Sequence, residues 1–190
     1  MATADSDRLK SILGERAVRF GEFTLASGRT SDFYVDIKKI FLEPEALHLL
    51  GVNLVEAWLA MDQPIDAVAG MTLGADPLIS AFVLEAWRRD LRIPGIIVRK
   101  EPKAHGTRQY LEGASDLAPG SRLLILEDVV TSGGSSVRTA ERCRDQGFIP
   151  VSVLAVVDRQ EGGQEAIKSA DLEFSSLYAR SDLKEAFDVT

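Results

Sequence analysis

A chain of 190 residues with 45% hydrophobic and 27% charged residues has the size and composition of one well-buried globular domain. Its formal net charge of −7 leaves no basic surplus for nonspecific nucleic-acid binding. No apolar run approaches bilayer-crossing length, residues 1–17 carry Asp5, Asp7 and Glu15 where a secretory signal needs an apolar region, and the single Cys143 makes no internal disulfide, so the cytoplasm is the expected compartment.

In chain order, Ser6 or Asp5 caps a first helix running to about Ala17. Residues 18–40 alternate through Phe20, Phe23, Leu25, Phe33, Val35 and Ile37, broken by Ser27-Gly28, which predicts short strands around a turn. Pro44 opens a helix with Leu47, Leu50, Leu54, Val55 and Trp58 at helical spacing. Strand and helix then alternate. Strands are predicted near 66–70, 95–99, 122–127, 151–157 and 172–175, and helices near 76–90, 134–146, 163–169 and 182–187. This alternation predicts an α/β fold, a mainly parallel sheet flanked by helices, with residues 1–190 as a single domain. Residues 100–113, holding Pro102, Gly106 and Gly113 with almost no apolar pattern, read as an exposed mobile loop. Cys143 lies in a helical pattern with Val137 and Ala140 and reads as a buried residue without a catalytic role. His48 and His105 offer no metal-ligand spacing.

The chemistry is concentrated in Leu123-Leu124-Ile125-Leu126-Glu127-Asp128-Val129-Val130-Thr131-Ser132-Gly133-Gly134-Ser135-Ser136. An apolar strand ends in two carboxylates and passes through small residues into a helix. Thr131, Ser132, Gly133, Gly134 and Ser135 supply amides and hydroxyls without bulk at a helix N-terminus, where unpaired N–H groups and the dipole favour an anion. Glu127 and Asp128 repel a phosphate and so belong beside this cup, facing the hydroxyls of a sugar whose phosphate lies in it. No Lys precedes the Ser/Thr as in a P-loop, and no G-x-G-x-x-G is present. A second cluster, Arg99, Lys100, Lys103, His105 and Arg108, crowds cations into one stretch of an acidic chain. A loop carrying those charges from the same sheet edge suits a polyanionic substrate. Arg159 follows the strand over 151–157, where a guanidinium suits a carboxylate.

The window 123–136 resembles the phosphoribosyl-diphosphate (PRPP) motif of the type I phosphoribosyltransferases. The string Arg99-Lys100-Glu101-Pro102-Lys103-Ala104-His105-Gly106 is similar to the catalytic loop of their orotate branch. Phe23-Thr24-Leu25-Ala26-Ser27-Gly28-Arg29-Thr30-Ser31 resembles the N-terminal signature of that branch, Gly70-Met71-Thr72-Leu73-Gly74-Ala75-Asp76-Pro77 its diphosphate loop, and Asp158-Arg159-Gln160-Glu161-Gly162-Gly163 its orotate-carboxylate segment. The chain departs from the family in carrying Ala26 and Leu73 where many members have Lys, and Asp32 where many have Pro.

The resemblance implies a type I phosphoribosyltransferase fold with a small N-terminal hood over about 18–40. It implies transfer of phosphoribosyl from PRPP to orotate in UMP biosynthesis, Mg²⁺ held through PRPP oxygens rather than by direct protein ligands, and a homodimer with shared sites. It assigns Lys103, Arg99, His105 and Asp128 to catalysis. PRPP is assigned to Arg99, Lys100, Lys103, His105, Thr72, Leu73, Glu127, Asp128, Val129, Val130, Thr131, Ser132, Gly133, Gly134 and Ser135, and orotate to Thr131, Arg159, Tyr34 and Val35. Partners are the two substrates, with no nucleic acid and no membrane. Two alternatives stay open at this point: a transferase for a purine or another base, and a PRPP- or nucleotide-sensing regulator without turnover.

Overall fold

Two antiparallel strands stand beside a six-stranded sheet in the computed structural model, which describes residues 4–24, 30–102 and 110–188. Helix α1 (Ala4–Ile12) buries Leu9 and Ile12 and runs into a π-helical turn, Leu13–Ala17. The helix expected to reach Ala17 thus changes pitch after Ile12. Asp5 and Ser6 are also not its cap: they lie in the first turn, where Asp5 and Asp7 complement the dipole.

Strands β1 (Val18–Thr24) and β2 (Thr30–Val35) pair antiparallel with a register shift between Phe20 and Phe23, giving the hood its own small sheet. Ala26, Ser27 and Gly28 lie outside the described residues. Phe33 fastens the hood to the body: it is fully buried in the main core, with its ring centroid 5.1 Å from that of Phe20. Helix α2 (Pro44–Ala60) begins at its proline as expected, with the Glu43 carboxylate accepting from the Ala46 amide at 2.7 Å.

The main sheet comprises β3 (Ala67–Met71), β4 (Gly95–Val98), β5 (Leu111–Glu112), β6 (Arg122–Val130), β7 (Ile149–Asp158) and β8 (Glu173–Ala179) in the order β5-β4-β3-β6-β7-β8. Every pairing is parallel except β4 with β5. Helices α3 (Asp76–Arg88), α4 (Gly134–Arg144), α5 (Gly163–Ser169) and α6 (Arg180–Asp188) follow β3, β6, β7 and β8. The chain steps outward from β3 to β4, then returns to β6 and proceeds the other way, so the carboxyl ends of β3 and β6 form a topological switch point.

Two expectations need correction. Leu111 and Glu112, inside the stretch read as a loop, form a short edge strand in register with Ile97 and Val98. Two residues are too few to carry a periodic signal. Strand β6 also runs on to Val130, so the acid pair lies within the strand and not at its end.

Candidate active site

Strand alternation sets the two carboxylates on opposite faces of β6. Leu124 and Leu126 pack into the core shared with α1, α2 and α3, while Leu123 and Ile125 pack towards α4 and α5. Continuing the alternation puts Glu127 on the α4 face and Asp128 on the other, and their partners agree. Glu127 Oε2 accepts from Ser135 Oγ at 2.7 Å and Ser136 Oγ at 2.9 Å, both in the first turn of α4. Asp128 Oδ2 lies 3.6 Å from Lys38 Nζ, in the short helical turn after β2, and Oδ1 accepts from the Val129 amide. Burial pushes the Glu127 carboxyl up to about 7; the two serine hydroxyls oppose the rise and the charge of Asp128 adds to it.

The cup is built at the turn from β6 into α4. Gly133 has φ +76°, and a Cβ there would lie 2.8 Å from the Gly163 carbonyl oxygen, so both backbone conformation and the close approach of α5 require glycine. The first-turn amides of α4 have no carbonyl one turn back and are presented outward. Thr131 and Gly134 are half-buried and Ser132 is exposed. Val130 contributes backbone only, because its side chain is buried with Ala140 and Ile167.

A cleft of about 290 Å³ joins these pieces, bringing Glu127, Asp128, Val129 and Ser135 together with Thr72, Leu73, Gly74, Lys38 and Lys100. Asp128 and Ser135 thus open into one space. The β3–α3 turn forms one wall. Its Thr72 hydroxyl donates to Asp76 Oδ2 at 2.7 Å, and a Cβ on Gly74 would lie 2.9 Å from Cγ and both oxygens of Asp128. Leu73 is 72% exposed, so this turn presents an apolar tip.

Of the basic stretch, Lys100 enters the cleft. Arg99 does not line it: its Nη1 lies 3.2 Å from Glu112 Oε1 at the β5 edge. Lys103, His105 and Arg108 lie outside the described residues. Arg159 is buried, with its amide donating to the Val130 carbonyl, so it sits directly beside the start of the cup. Its guanidinium pairs with Glu161 Oε1 at 2.7 Å and donates to the Phe33 carbonyl at 3.1 Å. Tyr34 and Val35 follow Phe33 in β2; they do not line the Asp128 cleft and instead lie on the hood side of Arg159.

Lys38 carries no sequence signal for its place beside Asp128. It stands among alternating hood residues with no motif around it, whereas Gly74 belongs to the Gly70–Pro77 segment that resembles a diphosphate loop. Cys143 is buried as expected, its thiol pushed up to about 12 by desolvation. Among the described residues no group of three or more His, Cys, Asp or Glu converges as metal ligands, and no helix is long and apolar enough to cross a membrane.

No family model matches the chain. It is 42% identical over 182 residues to the orotate phosphoribosyltransferase of Rhodopseudomonas palustris (strain BisB18), spanning 95% of this chain and 96% of that protein. Among solved structures it is similar to Mycobacterium tuberculosis H37Rv orotate phosphoribosyltransferase in complex with Fe(III) dicitrate, at 35% identity and TM-score 0.79 over 94% of this chain and 98% of the other. The same M. tuberculosis enzyme in complex with PRPP is matched at 30% identity and TM-score 0.75, covering 95% and 99%.

Proposed function

The chain belongs to the orotate phosphoribosyltransferase family, and from that membership we infer how its own residues divide the work. The reaction passes phosphoribosyl from PRPP to orotate, giving orotidine 5′-monophosphate and diphosphate in pyrimidine biosynthesis. A C1–O bond to diphosphate breaks and a C1–N bond to the pyrimidine forms, with cationic character at C1 between the two. Catalysis is then positioning and charge stabilisation.

In our reading the 5-phosphate lies in the cup of Thr131, Ser132, Gly133, Gly134 and Ser135, held by backbone amides. The Ser135 hydroxyl is engaged by Glu127 and serves to orient it. Glu127 and Asp128 take the ribose hydroxyls from the two faces of β6, and their charge faces the electron-poor ring. Lys100 and the Thr72–Leu73 turn meet the diphosphate, and Lys103 and His105 complete the cationic cover. Arg99, held at the β5 edge, suits the site of a neighbouring subunit better than its own. Arg159 reads the orotate carboxylate by exchanging its bond to Glu161, with Tyr34 and Val35 on the hood side of the base and Thr131 at its edge.

The donor set fits Mg²⁺ carried by the substrate. Glu127 already accepts two hydroxyls and Asp128 faces Lys38, so the hard oxygens that remain are those of PRPP, and such an ion weakens the charge on the leaving diphosphate. A homodimer with shared sites accords with exposed Leu73 and Leu84 and with the apolar groove of Pro44, Leu47 and Ala81. The cytoplasm accords with the single free thiol.

The observation that carries this reading is the common cleft of Asp128, Ser135 and Lys100. Incubation with PRPP and Mg²⁺ plus orotate, hypoxanthine or adenine in turn tests it: orotate alone is consumed. Turnover of a purine, or PRPP binding without consumption of any base, would defeat it. Shared sites are tested by mixing inactive Lys103→Ala and Asp128→Ala proteins, which restores part of the activity once subunits exchange.

A further inference from the structure

Arg142 stands in the last turn of α4, about two turns beyond Gly134. Its Nη1 donates to the Arg99 carbonyl at 2.5 Å and its Nη2 to the Lys100 carbonyl at 2.9 Å. Its guanidinium carbon lies 4.3 Å from the centroid of the Tyr110 ring. The Arg99 amide donates in turn to the Tyr110 carbonyl at 2.7 Å. One side chain therefore ties together the two backbone segments on either side of residues 103–109. A planar fork matches this task, since two adjacent N–H groups meet consecutive carbonyls while the flat face stacks on a ring. Lysine offers neither the fork nor the face.

The consequence for the cleft runs through Lys100. Lys100 lines the same cleft as Asp128 and Ser135, and its carbonyl is held by Arg142. Fixing that carbonyl fixes the Cα from which the ammonium enters. We propose that Arg142 is a positioning residue for phosphoribosyl transfer, holding the Arg99–Lys100 backbone so that Lys100 meets the diphosphate of PRPP. It touches no substrate itself. The proposal rests on the assignment of the diphosphate to Lys100.

The test compares Arg142→Ala, Arg142→Lys, Lys100→Ala and the double variant by kcat, KM for PRPP, melting temperature and affinity for orotidine 5′-monophosphate. That nucleotide keeps the 5-phosphate and base but has no diphosphate, so damage to α4 and its cup weakens it too. Arg142→Ala raises KM for PRPP about tenfold or more, the size expected of a small misplacement, while nucleotide affinity stays within about twofold. Arg142→Lys recovers part of the loss, and Arg142→Ala adds little once Lys100 is already alanine, because contacts that act as a unit are not additive. An unchanged KM for PRPP, or an equal loss of PRPP and nucleotide binding, overturns the proposal. Should Arg142→Ala fail to fold, Tyr110→Leu removes the stacked ring alone and must move KM for PRPP in the same direction. Lys100→Ala separates the two levels: no effect there refutes the diphosphate assignment, whereas an effect there with none at Arg142 refutes the positioning role alone.

Discussion

Ser135 Oγ donates to Glu127 Oε2 at 2.7 Å, so the first turn of α4 is bonded directly to the acid pair. The two halves of the site are held in register by this contact. Ser135→Ala removes one of two serine donors from a buried carboxylate, and Ser136 remains at 2.9 Å. The expected cost is about 1 kcal/mol, the low end for a broken buried hydrogen bond. Urea unfolding checks it, together with a rise in KM for PRPP.

The pH dependence of stability follows from Glu127. Its carboxyl is raised from 4.5 to about 7 in the folded state, chiefly by burial. Between those values the folded protein binds a proton that the unfolded chain has lost. The stability tied to this group is therefore full below about pH 4.5 and is lost as pH rises through about 7. Denaturant unfolding of wild type and Glu127→Gln measures it. The wild type loses stability relative to the variant across that window, and the difference is flat above it.

Gly74→Ala is expected to harm turnover far more than folding. Its Cβ would sit 2.9 Å from the Asp128 carboxylate, which must shift or push back the turn after β3. A displacement of that kind costs on the order of 10²-fold in kcat/KM when reacting groups are misplaced by about 1 Å. Steady-state kinetics against melting temperature makes the comparison.

Arg159→Lys keeps the charge and loses the fork. The guanidinium bonds the Phe33 carbonyl as well as Glu161, so the variant loosens hood and base pocket together. KM for orotate rises by about tenfold, one well-placed charged hydrogen bond, while KM for PRPP moves little. Initial rates at varied orotate and varied PRPP separate the two.

Much of this was legible in the sequence because the signals were periodic or dense. Leu123–Leu126 read as buried strand, Pro44 as a helix start, and the small residues 131–135 as the turn into a helix, and each stands where expected. The misses share a cause: contacts made in space leave no local pattern. Lys38 reaches Asp128 across 90 positions of sequence, Arg142 reaches Lys100 from the far end of a helix, and Leu111–Glu112 forms a strand only because β4 offers it an edge. The register of the acids followed the same logic. Alternation carries from Leu124 and Leu126 to Asp128, but the sequence alone does not say that β6 continues past Glu127.

In the proposed reading one cleft grips PRPP by both ends, and a crystal structure of the protein soaked with PRPP and Mg²⁺ shows whether it does. The 5-phosphate is expected against the amides of residues 131–135 and the ribose hydroxyls on Glu127 and Asp128, with the diphosphate towards Lys100. A 5-phosphate bound away from the α4 N-terminus, with either carboxylate turned from the ribose, would contradict it.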